Sequence, residues 1–206
     1  ILREHKHKSV FGEFPLLSNP PDNRNGNSPR TETQVGFSSK RIDVSLFGAW
    51  SQGDDYKDGN GAKILSNFQR SSFGTNLGIK LSKNQQLVVS AHRNIAKDVD
   101  FPSLPMDLRS DDTYVLNAKH QLIFSDRLLK TWNTAVYGTF VDHKMDNLLK
   151  DLNPRTVNAS TNATTRTTGA RTETKWNVAG NTFYLGADYK IENAKGTRER
   201  EMLTGM

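Results

Sequence analysis

The chain has 206 residues, a formal net charge of +6, a mean hydropathy of −0.67 and no cysteine. The lack of cysteine excludes disulfides and cysteine-ligated metal sites, and no apolar run reaches the ~18 residues of a transmembrane helix. A transmembrane barrel stays open, because its strands expose apolar side chains only at alternate positions. The cations are scattered rather than clustered, so no nucleic-acid partner is expected, whereas anionic lipid or lipopolysaccharide at a membrane surface fits them.

The first 30 residues differ in composition from the rest. Residues 1–30 are rich in Asn, Pro, Asp and Gly, which predicts a polar loop or a disordered segment. The sequence begins at Ile1 without an apolar leader and ends in polar residues at Met206. We therefore expect an internal piece of a longer protein, with residues 31–206 forming one β domain.

From residue 31 onward the apolar residues recur with a period of two, which indicates β-strands. Eight strands are predicted, connected as a meander. Three apolar rows are expected to face lipid: Ile42/Val44/Leu46, Leu77/Ile79/Leu81 and Phe183/Leu185/Ala187. Their polar neighbours are expected to face a lumen: Asp43, Asn76, Lys80 and Asp188.

The connections alternate between short and long. Short turns are predicted at 40–41, 83–85, 125–126 and 177–181, and long loops at 53–67, 96–112 and 146–163. Outer-membrane barrels combine short periplasmic turns with long extracellular loops. The pattern therefore predicts an all-β antiparallel meander that is part of a large transmembrane β-barrel.

The loop that begins at Phe101 is the candidate functional segment. Pro102 and Pro105 restrict its backbone, which lowers the entropy lost when a ligand binds. Its mixed apolar and charged side chains predict a loop that lines a substrate path. The predicted path residues are Phe101, Leu104, Met106, Asp107, Arg109, Asp111 and Asp112. Packing of the same apolar side chains against the barrel wall or a plug is the alternative.

Four stretches resemble TonB-dependent outer-membrane receptors, and most closely their copper-receptor-like branch. They are Asp55-Tyr-Lys-Asp-Gly-Asn-Gly61, the segment from Asp98 to Thr113, Met145-Asp-Asn-Leu-Leu149 and Gly196-Thr-Arg-Glu-Arg-Glu201. The resemblance runs from about residue 31 to the end. It implies a barrel of about 22 strands around a folded plug, located in the outer membrane of a Gram-negative bacterium.

The resemblance also implies a cargo and partners. The expected cargo is a scarce metal or metal chelate, with copper as the leading choice and no covalently bound cofactor. Copper favours thioether and imidazole ligands, for which the candidates are Met106, His143 and Met145. The expected partners are the TonB energy-coupling complex, acting through a plug domain absent from this chain, and outer-membrane lipid and lipopolysaccharide.

Three other function classes are alternatives to a transport receptor. One is a small self-contained eight-stranded outer-membrane barrel with an adhesive or structural role, and another is a soluble β-sandwich binding module. An enzyme is not expected, because the sequence has no Ser/His/Asp arrangement and no glycine-rich phosphate loop.

Overall fold

A computed structural model describes residues 9–13, 25–125 and 128–203, the first of these ranges as backbone. Eleven strands occur in this part of the chain, and their bounds follow. They are β1 (Ser9–Glu13), β2 (Arg30–Ser38), β3 (Ile42–Gly53), β4 (Tyr56–Lys57), β5 (Lys63–Ile64), β6 (Phe68–Ser82), β7 (Gln85–Val99), β8 (Asp107–Ile123), β9 (Leu129–Asp146), β10 (Val157–Val178) and β11 (Asn181–Met202). The described residues contain no helix, and so none that is long and apolar enough to cross a membrane.

Nine of these strands form one antiparallel sheet in the order β1-β2-β3-β6-β7-β8-β9-β10-β11. Apart from the small β4–β5 hairpin, which lies in the loop after β3, each strand pairs with its sequence neighbour. The predicted antiparallel meander is therefore confirmed. It has one strand more than predicted, because Ser9–Glu13 pairs with β2 inside the segment predicted as loop or disordered. The rest of residues 1–24 lies outside the described residues.

The connections lie as predicted, with short turns at one edge of the sheet and long loops at the other. The turn predicted at 125–126 falls partly outside the described residues. The other short turns are residues 39–41, 83–84 and 179–180, and the long loops are 54–67, 100–106 and 147–156. In the last of these turns Ala179 and Gly180 both have positive φ, 49° and 80°. That pair of angles matches the type I′ geometry favoured by two-residue hairpins.

Two of the long loops are shorter than predicted, so their predicted bounds were wrong. The loop predicted at 96–112 is only 100–106, because β7 continues to Val99 and β8 begins at Asp107. Likewise the loop predicted at 146–163 ends where β10 starts at Val157. These strand ends are polar, so apolar alternation fails there, whereas backbone pairing with the neighbouring strands continues.

The register divides the sheet into an apolar face and a polar face, since paired residues of an antiparallel sheet lie on the same side. One lateral row of paired residues on the apolar face is Phe37, Val44, Leu77, Val89, Ala118, Val136, Ala170 and Tyr189. The adjacent row on the polar face is Gly36, Ser45, Asn76, Ser90, Asn117, Tyr137, Gly169 and Lys190. The register places the three predicted lipid-facing rows on the apolar face except for Leu81, which lies at a bulge between Lys80 and Ser82. Asp43, Asn76, Lys80 and Asp188 share the polar face.

Little of the described chain is fully buried. Val99, Leu108 and Ala159 are its buried hydrophobic residues, and all three lie where the long loops join the strands. Large apolar side chains such as Leu46, Val136 and Leu185 remain 50%, 52% and 69% exposed. Extended apolar exposure of this kind marks an interaction surface rather than an ordinary solvated face.

Candidate functional site

The proline loop, residues 100–106, is a short rigid connection between β7 and β8. The Leu104 N–H donates to the Phe101 carbonyl over 3.1 Å, which closes a turn around Pro102. Phe101 and Met106 are half-buried, whereas Leu104 at the tip is 47% exposed. The apolar side chains of the loop are therefore available in part to a solute.

Asp107 holds the base of this loop in place. Its side chain is nearly inaccessible, and its Oδ1 accepts the Phe101 N–H at 2.8 Å and lies 2.6 Å from Lys150 Nζ. Lys150 Nζ also donates to the Phe101 carbonyl at 2.5 Å. A buried carboxylate is stable only when it is paired and hydrogen-bonded, and Asp107 meets both conditions. Because it is buried, Asp107 supports the loop rather than contacting a solute.

Arg109 and Asp146 join Asp107 and Lys150 in one group of charged side chains, here called the ionic cluster. A bulge in β8 lies between Leu108 and Ser110, at the position of Arg109. The guanidinium places Nε 2.9 Å from Asp146 Oδ1 and Nη2 3.4 Å from Asp107 Oδ2. Only 13% of the Arg109 side chain is exposed. Arg109 was predicted to line the path, and in the structure it binds carboxylates at the base of the loops.

Asp146 and Asn147 fix the start of the third loop. Asp146 Oδ1 accepts the Leu148 N–H at 3.0 Å. Asn147 bridges to β10, donating from Nδ2 to the Val157 carbonyl at 2.9 Å and accepting the Ala159 N–H at 2.8 Å. These groups satisfy backbone polar atoms that would otherwise be buried without partners.

The first long loop joins the same assembly through Asn67 and Asp100. Asn67 Nδ2 donates to Asp100 Oδ2 at 2.5 Å, and the Asp100 N–H donates to the Asn67 carbonyl at 2.9 Å. Burial, together with the neighbouring Asp107 carboxylate, raises the pKa of Asp100. All three long loops are therefore connected at their bases by polar contacts.

Asp55 holds the far side of the first loop. Its Oδ1 accepts the backbone N–H groups of Ser66 at 2.8 Å and Asn67 at 3.1 Å, while Lys63 Nζ lies 2.9 Å from Oδ2. The Lys63 hydrogen bond, followed by the Ser66 N–H, lowers the pKa of the Asp55 carboxyl. The resemblance stretch that begins at Asp55 thus has a local structural role.

Asp111 and Asp112, both predicted to line the substrate path, lie on opposite faces of the sheet. They lie on β8 rather than in a loop, and successive side chains of a strand point to opposite faces. Asp111 lies on the polar face. Asp112 lies on the apolar face, where Arg93 binds it through Nε–Oδ1 at 2.8 Å and Nη2–Oδ2 at 2.6 Å.

The predicted metal-ligand candidates are partly brought together. His143 pairs directly with Asp111, and its Nδ1 lies 2.8 Å from Asp111 Oδ2. This contact leaves Nε2 as the ring nitrogen for a ligand, an arrangement common in metal-binding histidines. Met145 follows on the same face of β9, opposite Leu108, and Met106 immediately precedes β8. Within the described residues no group of three His, Cys, Asp or Glu side chains is arranged to hold a metal ion.

The ionic cluster and its surroundings include residues that sequence reasoning did not select. Lys150 and Asn147 lie in a polar loop, and nothing in their local pattern distinguishes them from solvated residues. The one sequence feature that points to these residues is the resemblance stretch from Met145 to Leu149, which includes Asp146 and Asn147.

No protein-family model and no curated protein sequence matches the chain. Among solved structures, the chain is similar to the copper transporter OprC, with a TM-score of 0.76 and 16% sequence identity. The similarity covers 93% of this chain and 29% of that chain. This chain therefore has the antiparallel fold of one section of a β-barrel wall, and it spans less than a third of the transporter it matches.

Proposed function

We propose that the chain forms a section of the barrel of a TonB-dependent outer-membrane receptor that imports a scarce metal or metal chelate. The observation that carries this proposal is the nine-stranded meander, with its apolar face and long loops at one edge, superposed on a copper transporter over 93% of the chain. Such a receptor is a transporter rather than an enzyme, located in the outer membrane of a Gram-negative bacterium.

The open edges of the sheet favour a section of a larger barrel. In the described residues β1 and β11 are the outermost strands and do not pair with each other. The 22 residues of β11 are exposed along their whole length. Long exposed edge strands are rare because they invite pairing, so β11 is suited to a further barrel strand. A closed eight-stranded barrel and a two-sheet sandwich both disagree with this single open sheet.

Copper, or another metal or chelate, is the cargo we propose. The support is the Asp111–His143 pair with Met145 beside it on the polar face, and Met106 at the end of the proline loop. The imidazole and thioether groups would be transient ligands on the route of the cargo, held between the tethered loops. The proposed partners are the TonB energy-coupling complex, acting through a plug domain, and the lipids around the barrel.

Copper accumulation per receptor tests this proposal. Cells producing the full-length receptor carry either His143→Gln with Met145→Leu or the control pair His120→Gln with Met202→Leu, which removes the same groups elsewhere. We expect the first pair to lower energy-dependent copper accumulation at unchanged receptor abundance, and the control to have no effect. Equal accumulation in both variants would remove these residues from the path, and accumulation independent of energy coupling would contradict the receptor class.

A further inference from the structure

The last of the four resemblance stretches is charged, and its signs alternate along β11. It continues from Gly196 as Thr-Arg-Glu-Arg-Glu, and β11 pairs with β10 along all of it. Successive side chains of a strand point to opposite faces. The register places Arg198 and Arg200, here called the arginine pair, on the polar face. Glu199 and Glu201 lie on the opposite face, so the strand separates its two signs of charge across the sheet.

The arginine pair has no acidic partner in the described part of the chain. No ion pair between described residues includes Arg198 or Arg200, and both residues are exposed. The residues that flank them on the same face of β10 are uncharged: Ala159, Thr161 and Ala163. Two like charges on one face of a strand repel each other, so the arginine pair favours an anion that both side chains bind.

The carboxylates of the surrounding region already have partners among the described residues. The bound pairs are Asp146 with Arg109, Asp111 with His143 and Glu192 with Lys190. The distances between the joined nitrogen and oxygen atoms are 2.9, 2.8 and 3.1 Å. These acids therefore leave the positive charge of the arginine pair uncompensated.

The arginine pair lies beside the candidate metal ligands of the polar face. Met145 on β9 and Arg198 on β11 belong to one lateral row, with β10 between them. Neighbouring strands are about 4.8 Å apart, so the backbones at Met145 and Arg198 are separated by about 10 Å. In the adjacent row, the residues that follow His143 are Ala163 and Gly196, which are both small. This arrangement leaves room for a small chelate between the candidate ligands and the guanidinium groups.

We propose that the arginine pair binds the carboxylates of an anionic metal chelate, so that the cargo arrives as a chelate rather than as a bare cation. Two uncompensated guanidinium groups beside the candidate ligands repel a bare divalent cation. Carboxylates, in contrast, match the planar fork of donors that arginine presents. The inference rests on the proposed function and deepens it, because it names the chemical class of the cargo.

Copper supplied in two chelates of opposite charge tests the inference. Copper–nitrilotriacetate is an anion that carries carboxylates, copper–diethylenetriamine is a cation, and both leave a coordination position open on the metal. In cells producing the full-length receptor, we expect energy-dependent accumulation from the anionic chelate to exceed that from the cationic one. Arg198→Gln with Arg200→Gln should lower accumulation from the anionic chelate about tenfold at unchanged receptor abundance, because two exposed charge-assisted hydrogen bonds are lost.

The matched control is Glu199→Gln with Glu201→Gln, which removes two charges from the same segment on the opposite face. This control should leave the preference for the anionic chelate unchanged. Equal losses in the two variants would overturn the inference, and so would equal accumulation from the two chelates by the unmodified receptor.

Chelate binding by the purified receptor separates this inference from the proposed function. Equilibrium dialysis of the full-length receptor against radiolabelled copper–nitrilotriacetate requires neither energy coupling nor transport. We expect binding to weaken about tenfold in the arginine variant only, and equal binding in the two variants would contradict the inference. Binding that depends on the arginine pair, without energy-dependent accumulation from either chelate, would support the inference and count against the transport function alone.

Discussion

Lys150 Nζ lies 2.6 Å from Asp107 Oδ1, and the two side chains are 9% and 2% exposed. This buried ion pair joins the third long loop to the strand that follows the proline loop. Both partners also contact Phe101, through its N–H and its carbonyl, so the pair fixes the backbone at the start of the proline loop. The loop is thereby held in one conformation before any ligand arrives, which reduces the entropy lost on binding.

Removing Asp107 is expected to be strongly destabilising. Asp107→Ala leaves the Lys150 ammonium and the Phe101 N–H buried without their acceptor, and breaking a buried pair costs about 3–5 kcal/mol. Urea unfolding of the full-length receptor measures the loss. The control, Asp151→Ala, removes an exposed acid from the third long loop, next to Lys150. Asp107→Leu with Lys150→Met should recover much of the stability, and a single variant as mild as the control would show that the pair is unimportant.

Arginine substitutions at two positions of β6 that face opposite sides of the sheet should differ in effect. Ile79 lies on the apolar face and Asn76 on the polar face. An arginine that faces lipid near mid-membrane costs about 2–4 kcal/mol, so Ile79→Arg should impair barrel assembly and Asn76→Arg should be tolerated. Heat-modifiable migration on a gel reports assembly. Equal migration of the two variants would reject the assignment of the faces.

Acid should release the loop held by Asp55. Its folded pKa is lowered from the usual 3.8. Its stabilising contribution is therefore present above pH 3.8 and is lost as pH falls through the lowered pKa. Amide hydrogen exchange at Ser66 and Asn67 measures this, compared with an Asp55→Asn variant at each pH. We expect about tenfold faster exchange in the variant at about pH 6. The difference should vanish in strong acid, and a constant difference would contradict the role of the charge.

Gly169 provides space for an aromatic ring on the polar face. A Cβ at Gly169 would lie 2.5 Å from the Tyr137 ring, whose hydroxyl donates to Asp188 at 2.9 Å. Gly169→Val should displace the ring and cost about 1–3 kcal/mol in urea unfolding. Gly48 is a matched control, because a Cβ there meets nothing within 4 Å. Equal losses of unfolding free energy at Gly169 and Gly48 would mean that the Tyr137 ring moves aside at no cost.

The strands and their faces were predictable, whereas the ionic cluster was not. A period of two assigns Val44 and Leu77 to one face and Ser45 and Asn76 to the other without any knowledge of pairing. The strand ends at 96–99, 107–112 and 157–163 were missed because their polar residues show no apolar alternation, although they pair with the neighbouring strands. The Asp107–Lys150 contact joins residues far apart in sequence, and register alone brings them together. Asp111 and Asp112 were predicted to act together because they are neighbours in the sequence. They lie on one strand, where successive side chains point to opposite faces.

The central claim is that this sheet is barrel wall, with lipid on its apolar face and a lumen on its polar face. Single cysteines are placed at positions 76, 77, 79 and 80 of this chain, which contains none of its own. Each carries a nitroxide label in the membrane-embedded full-length protein, after any cysteine outside this chain has been replaced. Collision rates with oxygen and with a water-soluble nickel chelate measure exposure to lipid and to water. The account predicts high oxygen and low nickel accessibility at 77 and 79, with the ratio reversed at 76 and 80. Equal nickel accessibility at all four positions would contradict it.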